Sequence, residues 1–447
     1  MPDTSPWTRR QFLERGLVLA SAAASLPTFL SHTGSALAAQ QRPDLSSLPG
    51  VPQDRVLVVV QLSGGNDGLN TVIPYGHDAY HQARPALRVR ENVLPIDDVE
   101  GIGLHPALRG LHELIEKDAA AVIQGVGYPN PNRSHFASMD VWHAGDTAAQ
   151  GSRGVETGWL GRALDHQLHE QARRAAASPD ASAVADSYDG LAAVAIGAEA
   201  PSALRARRAR PVTFERPEMF RWAPEGKHPA LDRAYQALQH RDAEATDPGR
   251  GSSSAADFVY RTALDARAAS DRIREAVAAE PVTKFPGGNL ANQLKTVAAM
   301  IKAELPTRVY YVALGGFDTH AGQAWRHQNL LTELGKSLAA FQHELAATGH
   351  DQRVVTLTFS EFGRRVKENA SRGTDHGAAG PVFLTGPAVR PGLLGRHPSL
   401  TDLDRGDLKF TADFRSVYAG LLDDWLGLDS AAALGGRYRK AKLFAGV

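Results

Sequence analysis

The 447-residue sequence contains no cysteine. That absence removes disulfides, thiolate nucleophiles and Cys-based zinc sites from consideration. Charge of one sign is not in excess either, since 49 Lys and Arg face 49 Asp and Glu. No global field therefore draws the chain toward nucleic acid or an anionic membrane surface. A long hydrophobic run is also missing: the apolar stretch at 16–30 is rich in Ser and Ala and falls short of the roughly 20 apolar residues that a stable membrane span needs. What is present is ordinary for a globular protein. Hydrophobic residues make up 43% and charged residues 22%, enough to bury a large core without covalent staples.

The first 38 residues read as an address and not as fold. Thr8-Arg9-Arg10-Gln11-Phe12-Leu13 is similar to a twin-arginine export motif, a weakly apolar stretch follows, and Ala36-Leu37-Ala38 fits a small-residue cleavage site. This order implies the twin-arginine translocation machinery as a partner and a periplasmic or secreted location. Export of an already folded chain also suits a protein that must take up a metal first.

Continuous apolar runs at 55–62 (RVLVVVQL), 120–124 (AAVIQ), 191–196 (LAAVAI), 308–314 (RVYYVAL), 353–359 (RVVTLTF) and 382–384 read as buried strands. Runs without alternation are expected where helices cover both faces of a parallel sheet. Helical patterns lie between them, at 106–117, 290–304, 328–345 and 413–426. The alternation predicts an α/β fold, a doubly wound, mostly parallel sheet flanked by helices. Residues 172–190 read as a loose excursion, and 229–279 as a charged helical insertion broken by Asp247-Pro248-Gly249. One domain, 39–447, carrying that insertion is the simplest organisation.

Polar residues fall where the strands end. Asp67 follows the first strand in SGGND, and Asn132, Arg133, Ser134 and His135 follow the second. Asp318 and His320 follow a third in GGFDTH, and Glu361 a fourth in TFSEFGRR, with Asp375 and His376 soon after in GTDHG. In an open parallel sheet the carboxyl edge is where ligand sites assemble. Acids and imidazoles without thiolates suit divalent cations such as Zn, Mn, Mg or Ca. Ser134 beside Arg133 reads as a nucleophile with a cation to hold an anionic ester. Each position also has a plain structural use. Asp67 could be a turn residue or helix N-cap, Asp318 and His320 could satisfy each other, and Glu361 could pair with Arg364 or Arg365. Ser134 could cap a helix over 136–144, and His105 reads as a packed or capping histidine.

The ordered motifs LSGGNDGLNTVIPY, GVGYPNPNRSHFxSMDxW, TGWLGR, GGFDTH, TFSEFGRR and TDHG resemble the exported bacterial family called domain of unknown function 1501, over residues 55–425. That family is grouped with the alkaline-phosphatase-like and sulfatase-like hydrolases. The resemblance implies an ester hydrolase with one or two divalent metals, acting on an anionic small-molecule or polymer ester. It implies Asp67 as the ligand after the first strand, Ser134 as nucleophile, Asp318, His320 and His376 as one metal shell, and Glu361 as a further ligand, with Arg133 or Arg364 clamping the anion. Three positions depart from the superfamily pattern. Only Thr319 separates Asp318 from His320, Phe362 stands where a histidine ligand would follow Glu361, and Ser134 lacks the Cys/Ser-x-Pro-x-Arg setting of sulfatases. Phe362 also raises a second expectation, a non-catalytic binding or surface-assembly protein on the same fold.

Overall fold

A computed structural model describes residues 54–96, 100–149, 155–176, 192–209, 211–216 and 273–445. The leader at 1–38 and most of the insertion expected at 229–279 lie outside these residues, as does most of the excursion at 172–190.

The described chain is built on a nine-stranded sheet. Its strands in chain order are β1 (Val56–Leu62), β2 (Ala120–Gly127), β3 (Ala193–Ile196), β4 (Val212–Phe214), β5 (Val309–Leu314), β6 (Val354–Ser360), β7 (Gly380–Thr385), β8 (Gly392–Leu394) and β9 (Ala412–Asp413). Across the sheet the order is β8-β2-β7-β6-β1-β5-β3-β4, with β9 alongside β2. β1 lies between β5 and β6, parallel to both. β7 runs antiparallel to its neighbours β6 and β2, so the sheet is mixed and mostly parallel. The segment from 361 to 379 thus leaves β6 and enters β7 at one edge.

Side-chain alternation along β1 divides the core. Val56, Val58, Val60 and Leu62 face one layer, with Leu111 and Leu114 of α2 (Arg109–Glu116), Leu294 and Val297 of α5 (Asn289–Lys302) and Leu334 and Leu338 of α6 (Gln323–Ala347). Leu57 and Val59 face the other, with Val141 and Trp142 of α3 (His135–Ala144), Leu160 and Leu164 of α4 (Trp159–Ala176) and Phe414 and Tyr418 of α7 (Phe414–Gly420). Both faces are covered, which is why the strand sequences show no polar alternation. A short helix α1 (Asp78–Ala83) lies over the carboxyl edge, and α8 (Ser430–Leu434) closes the fold against α4. No helix among the described residues is long and apolar enough to cross a membrane.

Helix α6 begins five residues before the expected start at 328. Its first turn buries Gln323 and His327, polar residues that break the apolar period although they face inward. The helix expected over 413–426 continues beyond α7 as a π-helical turn, Leu421–Leu426. His105 accepts a hydrogen bond from Ala107 N at 3.1 Å, capping the short turn Pro106–Leu108.

Helix α3 is held to the sheet by a buried polar contact. Gln61 points to the α3 face, and His143 Nε2 lies 3.0 Å from Gln61 Oε1 and 3.1 Å from Tyr311 OH. Burial pushes the His143 imidazole down to about 4, so at neutral pH it is an uncharged hydrogen-bonding group. An unfolded histidine titrates near 6.5. The unfolded chain therefore binds the proton more readily, and stability from this group is full above about pH 6.5 and is lost as the pH falls toward about 4. Denaturant melts between pH 7 and pH 4 are expected to show a steeper loss of stability for the wild-type chain than for His143→Gln, by up to about 3 kcal/mol at pH 4.

Candidate metal centre

The double glycine after β1 is dictated by what packs on it. Gly64 has φ +116°, and a Cβ there would lie 2.4 Å from Asp318 N; Gly65 has φ +76°, and a Cβ would lie 2.4 Å from the Phe362 ring. Only residues without a side chain allow the loop after β5 and the start of the 361–379 segment to approach this turn so closely.

Arg364 ties the approaching segments together. Its guanidinium is fully buried. Nε donates to Gly65 O at 2.7 Å, Nη1 to Thr374 O at 2.7 Å, and Nη2 to Phe317 O at 3.0 Å, to Asp318 Oδ1 at 2.7 Å and to Gly64 O. All three guanidinium nitrogens therefore face protein acceptors, with Nη2 shared among three of them. The expectation that Arg364 would clamp a substrate anion is corrected accordingly, because its side chain is fully buried against protein acceptors and is not presented to a ligand. Partial burial pushes the Asp318 carboxyl up, but Arg364, through its hydrogen bond and its charge, leads the groups that outweigh it and bring the carboxyl down to about 2.

Three imidazoles converge on the same carboxylate oxygen. The Nε2 atoms of His320, His376 and His135 lie 3.1, 3.2 and 3.5 Å from Asp318 Oδ1. Each Nδ1 faces an acceptor: Glu361 Oε1 at 2.8 Å for His135, Asp375 Oδ1 at 3.3 Å for His320, and Arg133 O at 2.7 Å for His376. Glu361 and Asp375 both have lowered carboxyl groups. For Glu361 burial opposes the shift and the His135 hydrogen bond leads it; for Asp375 the Asn369 hydrogen bond leads. Both are therefore ionised acceptors, and the Arg133 carbonyl can only accept. All three Nδ1 atoms must carry the hydrogen, leaving the Nε2 lone pairs aimed inward.

That arrangement calls for positive charge at its centre. His320 Nε2 and His376 Nε2 are 2.8 Å apart, and two lone pairs at this distance, both against a carboxylate, repel unless a proton or a metal cation lies among them. His135 Nε2 is buried without a hydrogen-bond partner. The ligand atoms of His135, Asp318 and His376 all lie within 4.8 Å of one another. Imidazole and carboxylate donors with the far nitrogens fixed by acceptors are the set that suits a borderline divalent cation. Burial draws the His376 imidazole down, toward the neutral form a ligand requires, while the Glu361 hydrogen bond draws His135 up.

The structure thus brings Asp318, His320 and His376 to one point and adds His135, which sequence reasoning passed over as a neighbour of Ser134. The available signal was a histidine at the first position of a helix opening from the carboxyl end of a strand. Phe362 is the platform beneath this histidine. Its ring centroid is 5.0 Å from that of His135 and 4.8 Å from that of His376.

Two residues expected as ligands stand elsewhere. Glu361 lies behind His135: Oε1 accepts from Gly64 N at 2.8 Å as well as from His135, and Oε2 is 2.9 Å from Ser360 Oγ. Asp67 is fully buried in an ion pair with Arg84, whose Nη1 is 2.5 Å from Oδ2, and the same oxygen accepts from Gln323 Nε2. Burial would raise the Asp67 carboxyl, but Arg84 more than offsets this and the net shift is downward. Ser134 is exposed at the N-terminus of α3, where its side chain makes no capping hydrogen bond. Arg133 is bound through Nε and Nη2 to the buried Asp407 carboxylate, with 37% of its side chain exposed.

Arg364→Met would strand four carbonyl oxygens that the guanidinium now satisfies. The expected loss is about 3 kcal/mol or more in a urea melt of the metal-free chain, and a loss below about 1 kcal/mol would show that Arg364 does not organise this edge.

No curated protein matches the chain. Among solved structures, it is similar to a protein in the alkaline phosphatase superfamily from Vibrio parahaemolyticus, at 10% identity and a TM-score of 0.39, covering 92% of this chain and 77% of that one. It is similar to the lipoteichoic acid synthase LtaP from Listeria monocytogenes, at 11% identity and a TM-score of 0.34, covering 83% and 79%. The C-terminal periplasmic domain of EcEptC from Escherichia coli, in a complex with Zn, gives 10% identity and a TM-score of 0.35, with 87% of each chain covered. A family model matches residues 54–405, and the chain belongs to the family described as protein of unknown function, DUF1501.

Proposed function

We propose that this protein is an exported, metal-dependent hydrolase of phosphate or other anionic esters. The observation that carries the reading is the convergence of three imidazole Nε2 atoms on Asp318 Oδ1 with every Nδ1 committed to an acceptor. His135, Asp318, His320 and His376 would hold the cation. A bound divalent ion would supply Lewis-acid polarisation of the ester and lower the pKa of an attacking hydroxyl.

The remaining work falls to the chain's own groups. Ser134 lies between Arg133 and His135, two residues that touch the cluster through a main-chain carbonyl and a ring. It is exposed to an incoming substrate, and its hydroxyl is the candidate nucleophile. In the attack Oγ forms the new bond to phosphorus or sulfur as the bond to the alcohol oxygen breaks, the serine proton passing through solvent to the departing alcohol; water then displaces Oγ, giving the free acid and returning a hydrogen to the serine. The N-terminus of α3, a helix of 10 residues, directs its partial positive charge at the same place and favours an anion. Glu361, Asp375 and the Arg133 carbonyl keep the imidazoles in one tautomer. A non-catalytic binding role is favoured by one observation, that Arg364 and Arg133 are both engaged by protein acceptors.

Chelation of the metal-loaded chain is expected to abolish turnover of p-nitrophenyl phosphate or sulfate, with recovery on readdition of Zn or Mn. Ser134→Ala should reduce turnover at least 100-fold with metal content unchanged. A chain that holds its metal yet turns over no anionic ester supports the binding role instead, and turnover indifferent to Ser134→Ala removes the serine from the mechanism. Glu361→Gln should weaken metal affinity by about 10- to 100-fold, because a neutral amide oxygen holds the His135 Nδ1–H less strongly than a carboxylate does. Arg9→Lys with Arg10→Lys should leave the unprocessed chain in the cytoplasm if the leader uses the twin-arginine route.

A further inference from the structure

The resemblance to alkaline-phosphatase-like hydrolases leaves open one metal or two. We infer that this chain binds one cation, and that the guanidinium of Arg84 stands in the place of the second, beside Asp67. The inference rests on the metal centre proposed above and concerns residues outside it.

Asp67 and Glu361, with the residue after Glu361, are the positions that the resemblance implies as ligands beyond the shell of Asp318, His320 and His376. None is free to serve. Asp67 and Arg84 are both completely buried, 2.5 Å apart, and form a neutral pair that a divalent ion would have to disrupt. Arg84 is locked in that position. Nε donates to Val366 O at 3.0 Å, Nη1 also donates to Asn70 Oδ1 at 2.9 Å, and Nη2 donates to Arg365 O at 2.9 Å. Asn70 is itself fixed by Tyr80 OH and Leu87 O. A guanidinium held this firmly cannot swing away to admit another cation, and a cation added beside it would meet a buried like charge.

The other donors are spent as well. Both oxygens of Glu361 are engaged by Gly64 N, His135 and Ser360. Phe362 offers an apolar ring. Asp67 Oδ1 is buried and has no hydrogen-bond partner, but one carboxylate oxygen is not a divalent site. The neighbouring Asn66 Oδ1 is taken by Thr71 Oγ1 at 3.0 Å and His327 Nε2 at 2.9 Å. Among the described residues, the group of three or more His or carboxylate donors with ligand atoms within 4.8 Å of one another is His135, Asp318 and His376, and Asp67 is not part of it. Arg84 thus neutralises Asp67 permanently, as a part of the covalent chain.

The test is a metal count on the full chain, loaded with excess Zn, desalted and measured by inductively coupled plasma mass spectrometry. About one ion per chain is expected, falling to none in His320→Ala with His376→Ala. About two ions per chain would overturn the inference while leaving the metal centre intact. No retained ion in the wild-type chain would overturn the metal-centre reading itself. A second measurement replaces the buried pair by neutral residues of similar size, Asp67→Asn with Arg84→Met, which avoids stranding one charge. This variant is expected to keep its single ion, and loss of that ion with the fold retained by circular dichroism would show that Asp67 is a ligand after all.

Discussion

The carboxyl edge of this sheet is organised around one buried guanidinium. Arg364 reaches carbonyl oxygens in the turn after β1, in the loop after β5 and in its own segment at Thr374, and ends on the Asp318 carboxylate. Three stretches of chain remote in sequence are thereby held at fixed separation by a charged group that cannot lose its proton. The cluster around Asp318 is referenced to it. Asp318 is oriented by Arg364, the imidazoles are arranged around Asp318, and the two glycines exist because the segments that Arg364 draws together leave no room for a Cβ. Removing water from such a cation is expensive, which is why four carbonyls and a carboxylate surround it.

Much of the fold was legible in the sequence because its cause is local. Strands covered on both faces must be apolar throughout, and the runs at 55–62, 308–314 and 353–359 coincide with β1, β5 and β6 to within a residue. The reversed direction of β7 was not legible, since an apolar hexamer carries no mark of which way it runs. The early start of α6 was missed because Gln323 and His327 are buried by polar contacts and not by hydrophobicity.

The site was legible in its residue types and only partly in their roles. Asp318, His320 and His376 lie together as the motifs imply. The arginines illustrate the limit. A pair of cations after a carboxylate looks alike in sequence whether its donors face a substrate or the protein's own carbonyls, and Arg364 faces the latter. Asp67 is similar, because Arg84, which neutralises it, stands 17 positions away within an unremarkable stretch, TVIPYGHDAYHQARP, and nothing in its spacing announces the contact. His135 was hidden by adjacency to a more suggestive serine. Phe362 looked like a defect in a ligand series and is instead the floor on which two imidazoles rest.

The antiparallel strand has a consequence for the order in which these parts can come together. β6 and β7 pair directly and are joined by residues 361–379, so the segment bearing Glu361, Arg364 and His376 closes a far smaller loop than the pairings of β1 do. β1 must instead find β5 and β6, roughly 250 and 300 residues away. One half of the centre is therefore contributed by a single segment, and the other half, with His135 and Asp318, is brought to it by pairing between strands remote in sequence. Only the Thr374 contact of Arg364 lies inside the local segment, so its guanidinium is fixed by the arrival of the turn after β1 and the loop after β5, and positioning that charge and burying it are one event.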